Sequence, residues 1–118
     1  MNRLEAARRL YERLNEVAAA ARYLNLFDRD VEVRVGEEAI CLSVRGGRLS
    51  VRAGQAAQPD RSVLLAEPAA WDAVVAARTG FADAGGGIGG SIRCIEGRGS
   101  WDDMSWVGIL TRLAQEAR

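Results

Sequence analysis

The chain has 118 residues, the usual size of one domain, so we expect one domain with a single hydrophobic core over residues 1–118. Its composition, 48% hydrophobic and 27% charged, is typical of globular proteins and excludes an intrinsically disordered chain. Sixteen Arg balance sixteen Asp plus Glu, and this zero net charge excludes a general attraction to nucleic acid or an anionic membrane.

The first predicted element is one helix from Asn2 to Tyr23. Its apolar residues recur three or four positions apart, which places them in a single stripe along the helix. The stripe consists of Leu4, Ala7, Leu10, Leu14, Val17, Ala21 and Leu24. This segment carries too many charges for a signal-peptide core, and no stretch approaches the ~20 apolar residues of a membrane span. We therefore expect a cytoplasmic protein with no integral membrane association.

Strict alternation of apolar and polar residues after Asp28 predicts three strands. They are centred on Val31–Val35, Ile40–Val44 and Leu49–Ala53, and glycine-first turns at residues 36–37 and 46–47 join them. The pattern predicts an antiparallel meander with one apolar face and one charged face directed at water. The charged face would carry Glu32, Arg34, Arg45, Arg48 and Arg52.

The second half of the chain predicts two more strands and two helices. A short strand covers Arg61–Ala66, Pro68 opens a helix that ends before Gly80, a fifth strand covers Ser91–Glu96, and the last helix begins at Ser100. That last helix carries two adjoining apolar stripes, a wider arc than one sheet face requires. We therefore expect part of the arc to line a cavity or to meet a second chain.

The residue types limit the chemistry. The chain has no Lys and no His, which removes Ser/His and Cys/His dyads, Schiff-base chemistry and the commonest metal ligand. We expect no metal, no cofactor and, on balance, no enzymatic activity. Cys41 and Cys94 lie in predicted strands, and two buried thiols are favoured over a disulfide.

The glycine run at residues 85–90 follows a helix and enters a strand, the reverse of a phosphate-binding loop, and the chain has no lysine to complete one. A mobile connection or a glycine-rich lip beside a ligand is the favoured interpretation. Asp102 and Asp103 fit the capping of the last helix. Asp83 beside the run is the single weak candidate for a catalytic acid or base.

An apolar set on the two later helices and the glycine run gives the candidate ligand-binding residues. Core packing alone is the alternative interpretation of the same residues. The candidates are Trp71, Val74, Phe81, Ile88, Met104, Trp106 and Leu110.

The order of elements and three segments resemble the sterol carrier protein 2 (SCP-2) family over about residues 1–117. The segments are Arg45–Gly54, Pro59–Leu65 and Gly90–Gly97. The resemblance implies an α+β fold in which N-terminal, middle and C-terminal helices cover a five-stranded, mostly antiparallel sheet. It also implies an apolar tunnel between sheet and helices, bordered by the helix from Pro68 and the terminal helix.

Three functions follow as hypotheses. The first is binding of a lipid or other apolar small molecule. The second is an accessory or interaction domain that packs on a partner catalytic domain or forms a homodimer. The third is a small enzyme with Asp83 or another buried carboxylate as general base.

Overall fold

The computed structural model describes residues 2–26, 28–56, 62–85, 90–96 and 100–117, without the side chains of residues 100–103. The helices are α1 (Arg3–Tyr11), α2 (Ala21–Leu26), α3 (Pro68–Val75) and α4 (Ser100–Glu116), with short 3-10 helices at Glu12–Glu16 and Ala18–Ala20. The strands are β1 (Asp30–Val35), β2 (Glu38–Arg45), β3 (Arg48–Ala53), β4 (Ser62–Ala66) and β5 (Ile92–Glu96). Several predictions fall outside the described residues: Arg61 as the start of a strand, Ile88 with the glycines around it, and capping by the side chains of Asp102 and Asp103.

Two tight turns build the meander as the sequence predicts. Gly36 has φ 61°, and Gly46 and Gly47 have φ 59° and 77°, all in the left-handed region that glycine adopts without steric cost. Each turn contains two residues, so β1, β2 and β3 pair as consecutive antiparallel hairpins.

The sheet has the strand order β3-β2-β1-β4-β5. After β3 the chain crosses back and places β4 beside β1 in the parallel direction, and β5 then pairs with β4 in the antiparallel direction. The predicted α+β fold with a mostly antiparallel five-stranded sheet is confirmed.

The prediction of one helix from Asn2 to Tyr23 is wrong. The helical run breaks at Val17, whose backbone is extended with φ −102° and ψ 113°. The break moves the buried stripe by one position, so Ala20 is buried and Ala21 is exposed, the reverse of the predicted pattern. After it, Leu24 is buried again.

Side chains of the first helical segment close the edge strand β3. Arg8 Nε donates to Val51 O at 2.9 Å, and Glu12 Oε2 accepts from Val51 N at 2.8 Å. The Asn15 amide donates to Leu49 O and accepts from Leu49 N, both at 2.8 Å. The open edge of a sheet presents backbone N–H and C=O groups without a strand partner, and these side-chain bonds satisfy them in place of a neighbouring strand. The same contacts attach the helical segment to β3 just before the break at Val17.

The face that the alternation predicts as solvent-exposed is partly covered, so the prediction is wrong at Glu32. Glu32 is fully buried, with Oε1 accepting from Ala56 N at 3.0 Å and Oε2 accepting from Arg34 Nε at 2.7 Å. Asp30 is also buried and accepts hydrogen bonds from Ser43 and Arg52. The connection after β3 folds over this face, which a strand pattern alone does not reveal.

The opposite sheet face and the helices enclose one hydrophobic core that includes Tyr11, Leu42, Leu64, Trp71 and Leu110.

The cysteines stay free. Cys41 is buried as predicted, whereas Cys94 is only half-buried, with its Sγ donating to Glu96 O at 3.2 Å.

Candidate functional site

The predicted ligand-binding residues occupy two kinds of position. Trp71, Val74 and Leu110 are fully buried in the core, and Trp106 is nearly so. Phe81 and Met104 are each 9% exposed and lie at the surface of a cavity. Ile88 lies outside the described residues.

That cavity lies between α4 and the turn at residues 80–83, and its volume is about 610 Å³. We call it the α4 groove. It is lined by Gly80, Phe81, Ala82, Asp83, Met104, Ser105, Gly108, Ile109, Arg112 and Gln115.

Gly108 and Gln115 shape the α4 groove. A Cβ at Gly108 would lie 3.3 Å from Phe81 Cδ1, so the absence of a side chain there lets the Phe81 ring rest against α4. Gln115 Nε2 donates to Val74 O and to Thr79 O, each at 2.9 Å. These bonds hold the end of α3 and the following turn against α4, and so fix the wall that carries Phe81.

The surface of the groove is mostly apolar. Ile109, part of the predicted outer stripe of the last helix, is 38% exposed and contributes an open apolar wall. Arg112 at the edge donates its Nε to Glu116 at 3.0 Å. Asp83 is exposed, and no described side chain donates a hydrogen bond to it. The groove thus offers apolar contact area with a carboxylate at its rim.

A second cavity of about 790 Å³ lies between α1 and α3. We call it the α1–α3 groove. It is lined by Asn2, Arg3, Ala6, Arg9, Leu10, Arg13, Glu38, Trp71, Asp72, Val75, Ala76 and Arg78.

One ion-pair network closes an end of the α1–α3 groove. Arg3 donates to Asp72 Oδ1 at 2.8 Å and Oδ2 at 3.0 Å, and to Glu38 Oε1 at 2.9 Å. The hydrogen bonds from Arg3 hold the pKa of the Asp72 carboxyl below its usual range. Both groove carboxylates are therefore engaged by one guanidinium.

Sequence reasoning missed the α1–α3 groove. Its walls are about 70 residues apart in the chain, as with Arg3 and Asp72. A signal was present, because Arg9 and Arg13 repeat a positive charge four positions apart on one helix, an unfavourable spacing.

Within the described residues, no group of three or more His, Cys, Asp or Glu side chains is placed to hold a metal ion. No helix in that part of the chain has the length and apolar character needed to cross a bilayer.

The sheet order and its covering helices define an α+β class of fold that solved structures share. No protein-family model and no curated protein sequence matches the chain. Three solved structures are similar across almost all of it, at 12–20% sequence identity.

A crystal structure of sterol carrier protein 2 is 18% identical with a TM-score of 0.69, covering 95% of this chain and 95% of that one. A conserved hypothetical protein of Thermus thermophilus, suggested to be a sterol carrier protein, is 20% identical with a TM-score of 0.61, covering 95% and 85%. A UbiJ-SCP2 ubiquinone synthesis protein is 12% identical with a TM-score of 0.60, covering 96% and 91%. The chain therefore has the SCP-2 fold, which confirms the resemblance seen in the sequence.

Proposed function

We propose that this chain binds a lipid-like or other apolar small molecule in the α4 groove and does not catalyse a reaction. The observation that carries the proposal is the groove itself, where Phe81, Met104 and Ile109 present apolar surface around Gly108. Its volume of about 610 Å³ falls within the range of small-molecule sites.

The structural neighbours support an apolar ligand. Two of them are sterol carrier proteins by name or suggestion, and the third is a ubiquinone synthesis protein. Sterols and ubiquinone are both largely apolar molecules. A ligand that buries ~200 Å² of apolar surface gains about 5 kcal/mol, less the entropy of its immobilisation.

The remaining predicted lining residues belong to an inner part of the proposed site. Val74, Trp106 and Leu110 lie in the core on α3 and α4. We assign them the inner wall of a tunnel that a longer ligand opens between the sheet and the helices. Trp71 on α3 and Ile88 in the glycine run complete the proposed lining.

The test uses N-phenyl-1-naphthylamine, an uncharged apolar probe whose emission rises when it leaves water. Ile109→Gln replaces an apolar wall of the α4 groove and should weaken binding about fivefold, since ~1 kcal/mol of apolar contact is lost. Leu26→Gln is the matched control, because Leu26 is an exposed apolar residue on another helix, at 70% exposure. Equal affinities of the two variants and the unmodified protein would refute the proposed site.

A further inference from the structure

We propose that the α1–α3 groove is a separate binding site for an amphiphilic organic anion. Arg9, Arg13 and Arg78 would hold its phosphate or carboxylate group, and the apolar floor would hold its body. The α1–α3 groove shares no lining residue with the α4 groove, although Trp71 on its floor is also assigned to the inner tunnel of the proposed site.

The charge of the groove favours an anion. Four guanidiniums line it against two carboxylates, which leaves two positive charges in a protein whose formal net charge is zero. Arg3 already engages both carboxylates. Arg9 and Arg78 are exposed and form no ion pair in the described structure, although Arg78 lies near enough to Asp72 to lower the pKa of that carboxyl.

The spacing of two of the arginines is unfavourable for the helical segment that carries them. Arg9 near the end of α1 and Arg13 in the following 3-10 helix both line the groove, and like charges four residues apart destabilise a helical segment. Arg13 Nε donates to the backbone Arg9 O at 2.9 Å, which ties the Arg13 side chain back to the end of α1. A bound anion would offset this repulsion and accept charge-assisted hydrogen bonds from the pair.

Arg78 comes to the groove through an unusual turn. Ala77 has φ 57°, a left-handed conformation that alanine disfavours. The turn lets Arg78 N donate to Ala73 O at 2.9 Å, so the chain folds back at the end of α3. This brings Arg78 to the wall opposite Arg9, and residues held in such conformations cluster at ligand clamps.

The floor supplies apolar contact for the body of the ligand. It is formed by Ala6, Leu10, Trp71, Val75 and Ala76. Trp71 stacks on Tyr11 with ring centroids 6.2 Å apart, and its buried Nε1 has no hydrogen-bond partner among the described residues. The volume of about 790 Å³ suits a small molecule rather than a flat protein interface.

The experiment titrates dodecyl phosphate below its micelle concentration into the folded protein by calorimetry. Arg9→Gln with Arg78→Gln should weaken binding at least about tenfold at low ionic strength, because two charge-assisted contacts are lost. Arg22→Gln with Arg48→Gln is the matched control, since it removes two exposed arginines that do not line this groove. Unchanged affinity in the groove variant, or an equal loss in the control, would overturn the proposal.

Two further ligands separate the contribution of the apolar floor from that of the arginines. A third, poly-glutamate, tests whether the groove binds an acidic protein segment instead. Dodecanol should bind the groove variant and the control variant equally, and inorganic phosphate should displace dodecyl phosphate only at concentrations at least about tenfold higher. Displacement by phosphate at equal concentration would refute the role of the apolar floor. Groove-dependent binding of poly-glutamate without binding of dodecyl phosphate would refute the amphiphile and instead assign the groove to an acidic protein segment.

The tests of the two grooves give results that can be told apart. If Ile109→Gln leaves the apolar probe unaffected while Arg9→Gln with Arg78→Gln abolishes dodecyl phosphate binding, only the α4 groove proposal fails. The opposite pattern refutes only the α1–α3 groove.

Discussion

At Ala77 the backbone takes φ 57°, although the side chain is not glycine. The residue follows the C-terminus of α3, where Ala77 N donates to Val74 O at 2.9 Å and Arg78 N to Ala73 O. Glycine is the usual residue at this position of a helix end, because it has no Cβ to clash. Alanine here is therefore a local cost to stability.

Ala77→Gly should raise the free energy of unfolding by ~1 kcal/mol, because glycine removes the left-handed penalty. Urea denaturation measures the change. The control is Ala76→Gly, since Ala76 has right-handed helical φ −80° and glycine there should lower stability. A loss of stability in both variants would contradict the argument.

Single residues differ in how far the sequence predicts them. The two hairpin turns are predicted from Gly36, Gly46 and Gly47, because glycine between segments of alternating apolar and polar residues is a hairpin signal. Ala77 carries no such signal, and the sequence points instead to Gly80 as the helix terminator. The burial of Glu32 is hidden for a different reason: the alternation assigns its face correctly, but the covering contact comes from Ala56, in a connection without periodicity.

At the scale of elements, the first helical segment serves the sheet edge as much as the core. A helical pattern identifies its apolar stripe, yet Glu12 and Asn15 fall on the polar side of that stripe. Their partners Leu49 and Val51 lie more than thirty residues away, so local periodicity cannot reveal the contact. The helix break at Val17 and the burial of Ala20 come directly after these long-range bonds in the chain.

Asn15→Ala should lower the free energy of unfolding by ~1–2 kcal/mol, because the Leu49 N–H and C=O lose their protein partners. Hydrogen exchange at the Leu49 amide should accelerate by more than the global loss of stability explains.

Glu16→Ala is the control for that variant, because Glu16 is the exposed neighbour in the same 3-10 helix. If both substitutions lower the free energy of unfolding equally and change hydrogen exchange at the Leu49 amide equally, the side chain of Asn15 does not protect the edge of β3.

At the scale of the whole molecule, the sequence predicts the architecture better than the site. The order of helices and strands, together with three short segments, is enough to predict the SCP-2 fold, since most elements carry their own period. The sequence identifies the candidate ligand-binding residues less well, because Val74 and Leu110 have the same apolar character whether they fill a core or line a tunnel. The predicted homodimer, partner catalytic domain and cytoplasmic location stay predictions.

Global stability should fall steeply at alkaline pH. Burial raises the pKa of Tyr11 to about 12, against an opposing hydrogen bond with Thr111, and burial also raises the pKa of the Cys41 thiol to about 11. The folded state thus holds both protons more tightly than the unfolded state. Their stabilisation is complete below pH 9 and is lost between pH 9 and 12, at up to ~1.4 kcal/mol per pH unit for each group.

Urea denaturation from about pH 8 to about pH 11.5 tests this expectation, and the chain has no lysine to obscure the titration. Tyr11→Phe should flatten the profile above about pH 10, because it removes the buried phenol whose pKa is raised. A slope that is unaffected by Tyr11→Phe would show that another group governs alkaline unfolding.

The parallel ladder between β1 and β4 has a consequence for the order in which the chain folds. The hairpins of β1, β2 and β3 close over two-residue turns, but β4 pairs with β1 only after Ser62 returns to Val31. Such distant closure is slow, and in the described structure β5 pairs with β4 alone. A nascent meander can therefore form early, whereas both walls of the α4 groove follow β4 in the chain and assemble last. Ligand capture there would report that folding is complete.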